Sequence, residues 1–302
     1  MSTTTAEHPA LTRTWLPVAA VGVTLVLWAS AFVAIRHLAD TYRPGSIALG
    51  RMIVGSLCLA GVVAWSRRRP GRALVRPGRT DWVRIVVIGI LWYAVYMLAL
   101  NTGERRVDAG TSAMLVQLSP ILIAVLAAIF LDERFTRWLW LGLVLAFAGV
   151  VVISLGTSGG SSRDLLGVVL CLVSAVAYAV SLVLQKPLTR RFSALQLTWL
   201  ACTVGMIVML PWLGQLISDV RHAPVSSTLW VVYLGVFPTA VAFTTYGYGL
   251  SHLPASRLGV ATYIVPVITV ALAWMLLGET PPALAYVGGV IALAGVALAR
   301  RR

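Results

Sequence analysis

Apolar runs of membrane-crossing length follow one another along this chain, with short polar loops between them. A helix needs about 20 apolar residues to cross a bilayer core of about 30 Å. Ten runs meet that length within a few residues at each end: 16–35, 45–65, 82–101, 109–131, 137–155, 165–185, 194–217, 229–250, 256–277 and 283–299. The connectors, such as "RHLADTYRPG", "GTSGGSSRD" and "GETPP", carry Pro, Gly or charge, and none is long enough to fold by itself. The pattern predicts an all-α integral membrane protein with ten transmembrane helices. Ala29-Ser30-Ala31 has the small-residue form of a signal-peptidase site, but its apolar run continues through Ile35, so the first span reads as a retained helix.

One span breaks its own pattern. "VQLSPILIAVLAAIFLDERF" (116–135) holds Gln117 and Pro120 inside an apolar run and ends on Asp132 and Glu133. A shift of 146 residues lays "LSPILIAVLAAIFLDERF" on "IVPVITVALAWMLLGETP" without a gap, placing Pro120 on Pro266 and Glu133 on Glu279. In the following spans Gly142, Ala146 and Gly149 fall on Gly288, Ala292 and Gly295, and upstream Gly89 falls on Gly235. Chance apolar matching accounts for leucines and alanines, and poorly for a proline, a glutamate and glycines in register. Residues 1–155 and 156–302 therefore read as two copies of a five-span unit. An odd number of spans inverts the second copy, the design of many secondary transporters, whose substrate sites lie near the midplane where helices are broken.

Charge sets direction. With the N-terminus inside, short inner segments hold seventeen Lys/Arg, including Arg67, Arg68, Arg69, Arg72, Arg76, Arg79 and Arg84, against six in outer loops. Both termini are thus expected in the cytoplasm, in a multi-pass protein of the cytoplasmic membrane. The net charge of +14 does not indicate nucleic acid, because the arginines sit in loops with no basic helix face. Only 11% of residues are charged, too few to cover a soluble domain. Three cysteines inside apolar runs, Cys58, Cys171 and Cys202, supply neither a disulfide framework nor a metal site.

Together "LWASAFVAIRHL" in the first span, "GSIALGRMIVGSL" in the second, the proline-to-glutamate segment with its copy, and "GLVLAFAGVVVI" with "GGVIALAGVALA" resemble the ten-helix EamA-type family of the drug/metabolite transporter superfamily. The resemblance covers essentially the whole chain. It implies a transporter of amino acids or other small metabolites, with no cofactor and no catalysis. Export is the expected direction, and uptake or uncoupled exchange is the alternative. An intramembrane enzyme would need embedded acids, histidines or a motif-bearing loop. All ten acids and His8, His37, His222 and His252 lie instead in tails, loops or span ends. The superfamily's small multidrug exporters use a first-helix glutamate, which the first span here lacks.

The site candidates follow from cost. Pro120 cannot donate to Val116, nor Pro266 to Thr262, so each leaves an acceptor without its helical donor. Gln117 and Tyr263 precede the two prolines by three residues, which puts them on the proline faces. These four are expected to line a substrate cavity; the competing reading is a kinked packing helix in which Gln117 bonds to a neighbour. Trp28 and Tyr178 match at a shift of 150, and Tyr93 and Tyr96 lie in the third span. Such residues suit an amphipathic metabolite or simple packing. Arg51 is a charge within a span with no acid in its own helix. It reads either as a fork for an anionic or zwitterionic substrate group or as a structural arginine bonded to neighbouring carbonyls. Glu133 and Glu279 are expected as helix-end groups, with Thr136 and Thr280 capping the next helices and Pro281 at a first helical position. The Gly/Ala stripes predict close helix packing within the chain, or else a homodimer. The expected partners are then a small-molecule substrate and the lipid bilayer.

Overall fold

The structure, a computed structural model, describes residues 15–68, 74–130, 137–157, 162–252 and 261–299, and its regular elements are all helical. They are α1 (Trp15–Leu38), α2 (Pro44–Arg67), α3 (Arg79–Gly103), α4 (Ala109–Val116), α5 (Ser119–Phe130), α6 (Arg137–Thr157) and α7 (Ser162–Gln185), then α8 (Ala194–Val208), α9 (Leu213–His222), α10 (Val225–Gly249), α11 (Val265–Leu277) and α12 (Ala283–Ala299). Local chemistry sets several starts. Pro44 opens α2, where its missing N–H is no loss. Asp108 caps α4 by accepting from the N–H and hydroxyl of Thr111, and Ser193 caps α8 by accepting from the N–H of Gln196.

Among the described residues, five helices are long and apolar enough to cross a membrane, or six if α8 and the segment after it count as one bent span. Side chains such as Leu155, Met275 and Val290 point outward with about two thirds of their surface exposed (68%, 72% and 69%). Lipid is as apolar as these side chains, so burying them gains little, and close backbone packing holds such a bundle instead.

Three expectations change. The run 194–217 is two helices meeting at 52°, with a 3-10 turn at Leu210–Trp212. Pro211, which cannot donate a helical hydrogen bond, sits in that turn. The helix after Glu279 starts at Ala283, so Thr280 is not its cap and Pro281 is not its first residue. Gly278, in the left-handed region at φ 67°, ends α11 and turns the chain there. Glu133 and Thr136 lie outside the described residues.

The small-residue stripes meet. A Cβ on Gly149 would lie 2.5 Å from the Ala292 nitrogen and 2.6 Å from the Gly288 oxygen; one on Gly295 would lie 2.5 Å from the Ala146 nitrogen and 2.6 Å from the Gly142 oxygen. Helices α6 and α12 therefore touch backbone to backbone, and a homodimer built on these stripes would have to part them.

The internal repeat has a structural counterpart. Both α3 and α10 contain a π-helical stretch, Gly89–Tyr96 and Val236–Val241. Each stretch adjoins the same kind of contact. Gly235 packs against Val54 and the Arg51 carbonyl, while Gly89 packs against Val204 and the Ala201 carbonyl. Gly55 meets Thr239, and Gly205 meets Tyr93. The shifts of 146 and 150 residues found in the sequence carry each contact onto the other, so α2 on α10 is repeated as α8 on α3.

Candidate functional site

Between these paired helices lies a cavity of about 520 Å³, within the size range of small-molecule sites. Both halves of the chain line it. Its aromatic wall runs from Tyr246 through Trp28 and Phe243 to Trp92 and Tyr178. Neighbouring ring centroids are 5.0 Å (Trp28–Tyr246), 5.8 Å (Trp28–Phe243), 5.2 Å (Trp92–Phe243) and 4.9 Å (Trp92–Tyr178) apart. Edge and tilted contacts of this kind fix large apolar surfaces at little entropic cost.

The break opposite that wall behaves as proline chemistry requires. Helix α4 ends at Val116, and α5 restarts at Ser119 with Pro120 in its first turn. The Val116 carbonyl, denied the Pro120 donor, accepts the Ser119 hydroxyl instead. In the other half a 3-10 turn, Thr262–Ile264, precedes α11, with Pro266 in its first turn. There the Thr262 carbonyl accepts the side-chain amide of Gln117. The two breaks thus bond to each other through Gln117, and the freed carbonyls are satisfied by protein groups rather than left bare to the cavity.

Arg51 stands on the cavity edge with 4% of its surface exposed. Its Nε donates to Thr239 Oγ1 at 2.8 Å, and that hydroxyl donates to the Leu234 carbonyl, five residues back, at 2.9 Å. The π-helical stretch of α10 supplies this geometry: its wider turn lets a threonine reach a carbonyl five positions earlier. Gly235 lets the backbone of α2 approach closely enough for the arginine to span the gap.

Among the described residues, the cavity lining reaches exposed side chains at one end of the bundle and stops short of the ion pairs at the other. Gly103 packs on Gly167 and Cys171, so α7 starts beside the end of α3 and finishes at the opposite end of the bundle. That far end carries Lys186 and Thr189, both exposed and both lining the cavity, which therefore reaches solvent there. Where α1 and α3 terminate, Arg36 Nε holds Glu279 at 2.8 and 3.1 Å, and a terminal nitrogen of Arg36 donates to the Glu104 carbonyl at 2.9 Å. Arg43 grips Asp219 beside them, and Tyr42 shares a 2.7 Å hydrogen bond with Thr228. Glu279, expected as a helix-end group, does follow the cap of α11, its N–H donating to the Ala273 carbonyl, and its side chain is also one half of an ion pair across the bundle.

Of the sequence candidates, Trp28, Arg51, Gln117, Pro120 and Tyr178 line the cavity, as does Tyr96. Tyr93 is buried behind it against Phe243, and Tyr263 packs in the core, with Thr262 and Val265 taking the cavity face in that half. Three groups escaped the sequence reading: Thr239, the aromatic pair Trp92 and Phe243, and Glu104. The Glu104 side chain is fully buried, with neither carboxyl oxygen hydrogen-bonded. Burial pushes that carboxyl well above the ordinary range, outweighing the nearby Arg36 and Arg51.

Known proteins agree with this architecture. The model of the EamA-like transporter family matches residues 15–155 and again 165–301. The chain belongs to that family. This EamA protein is 35% identical over 280 residues to a probable terminal-alkyne amino-acid exporter of Streptantibioticus cattleyicolor, covering 93% of this chain and 92% of that one. It is 32% identical to the uncharacterized transporter YdfC of Bacillus subtilis, covering 89% and 86%. A solved crystal structure shares the fold at a TM-score of 0.63 and 20% identity, over 94% of this chain and 96% of its own. The protein is accordingly a multi-pass membrane protein of a transporter family.

Proposed function

We propose that this EamA protein is a secondary transporter of the cell membrane that exports a small metabolite, such as an amino acid, by alternating access. The observation carrying the reading is a cavity lined by both halves, joined across their breaks by Gln117, whose lining reaches exposed side chains at one end and stops short of the ion pairs at the other. In this reading the chain forms two inverted five-helix units (1–155 and 156–302), ten spans in all, with both termini cytoplasmic, and the solvent-reaching end then faces the cytoplasm. The sealed end, with Arg36 and Glu279, then faces outward. This is a loading state for export. The relative from Streptantibioticus cattleyicolor, named a probable terminal-alkyne amino-acid exporter, supports that direction. No catalytic step is part of the reading.

Proteoliposomes of known orientation, loaded with labelled amino acids and small carboxylates, test it. Efflux from the Lys186 side toward the Arg36 side is expected. Gln117→Ala is expected to lower kcat/KM about tenfold, the effect of one lost hydrogen bond between the halves. Flux only in the opposite direction would make the protein an uptake carrier. No flux of any solute would overturn transport itself.

A further inference from the structure

Arg51 presents an unanswered charge. Its one hydrogen bond to a described residue uses Nε, which leaves both terminal nitrogens of the fork without a partner among the described residues. It forms no ion pair among the described residues, and the buried Glu104 carboxyl makes no hydrogen bond to it. A guanidinium nearly withdrawn from water is ordinarily paired or hydrogen-bonded at every arm. A fork held by Thr239 at its root and unbonded at its tips, beside a cavity, is arranged to receive a planar anion in bidentate fashion. The position is also singular: the shift that carries α2 onto α8 places Ala201 where Arg51 stands. Arg51 is therefore a buried positive pole set off the cavity's pseudo-symmetry axis, distinct from the exposed Lys186 at the solvent-reaching end.

The rest of the lining limits what that anion can be. No Asp or Glu is among the described lining residues, so no carboxylate stands ready for an ammonium group. The aromatic wall of Trp28, Trp92, Tyr178, Phe243 and Tyr246 supplies apolar area, and about 520 Å³ is far more than an inorganic anion fills.

Resting on the transport reading, we propose that Arg51 is the anion subsite of this cavity. Its substrates are small organic carboxylates with an apolar or aromatic body, recognised at the carboxylate and not at an amino group. An amino acid and its deaminated acid are then equivalent ligands. The aromatic wall takes the body, and the fork fixes the carboxylate.

Four probes sharing one body test this on the full chain in lipid nanodiscs by calorimetry: 3-phenylpropionate, phenylalanine, 2-phenylethylamine and 3-phenylpropionamide. The first two are expected to bind within about threefold of each other and about 10- to 100-fold tighter than the amine or amide. Arg51→Gln, which keeps a donor for Thr239 but no charge, should erase that preference while leaving the amide unchanged. Arg51→Lys should retain part of it. The wild-type series needs no variant, so misfolding of a variant cannot shield the proposal. Amine or amide binding as tightly as the carboxylate overturns it. So does a carboxylate preference that survives in Arg51→Gln, or no binding of any probe by protein that still moves other solutes in proteoliposomes. Arg51-dependent binding without flux would leave this subsite standing and remove the transport reading instead.

Discussion

Single residues carry the polar economy of this protein, and Glu104 is the sharpest case. Its carboxyl has no hydrogen bond and no exposed surface, so burial raises its pKa well above the ordinary carboxylate range. An acid whose folded pKa is raised gives stability that is fully present below the unfolded value and is lost as pH rises toward the folded one. The apparent Tm of detergent-solubilised protein should therefore fall as pH rises from about 4.5 through neutrality. Glu104→Gln should flatten that decline and raise the Tm at pH 7 by roughly 2–4 °C. A variant that melts lower at pH 7 than the parent would show that the carboxylate is held charged. Gln117 and Pro120 were legible in the sequence because proline must free a carbonyl and a glutamine in lipid must find a partner. That the partner is Thr262, 145 residues away, was not, and neither was the burial of a glutamate that looks like the start of a loop.

Among elements, the α6–α12 pair and the π-helical stretches set the geometry. Gly149 has no room for a side chain against Ala292, whereas Gly22 meets nothing within 4 Å. Gly149→Leu should part the pair and lower the Tm by at least about 5 °C, with poor yield, because overpacking costs about 1–3 kcal/mol or more. Gly22→Leu, whose added side chain would meet open space, should leave the Tm within about 1 °C, so equal loss in both variants would argue against direct helix contact. The glycine stripes could be read from spacing alone. The π-helical stretches could not: Gly89–Tyr96 is an apolar run like its neighbours, and nothing in its sequence marks the contact that Gly89 and Tyr93 make with α8. The bend before α9 left its signal in Pro211, hidden inside an apolar run long enough for one straight span.

At the scale of the whole molecule, the repeat was legible because proline, glutamate and glycine stayed in register, whereas the cavity was not, since its wall joins residues from every quarter of the chain. The tie between Arg36 and Glu279 bears on how that wall moves. Both side chains are 29% exposed, so solvent screens the pair and its worth is roughly 0.2–1 kcal/mol. Glu279→Gln should let the sealed end open about two- to fivefold more often. The readout is the labelling rate of a cysteine placed at Leu100 by a reagent added on the Arg36 side, in a background lacking Cys58. An unchanged rate would mean that other contacts hold that end shut. The backbone seam between α6 and α12 also has a consequence in time. Synthesis delivers α6 well before α12. Until α12 arrives, the groove of Gly142, Ala146 and Gly149 stands open to lipid, so a helix of the second half closes the first half of the protein. A chain truncated after Leu277 would present that open groove to quality-control proteases as the mark of an unfinished product.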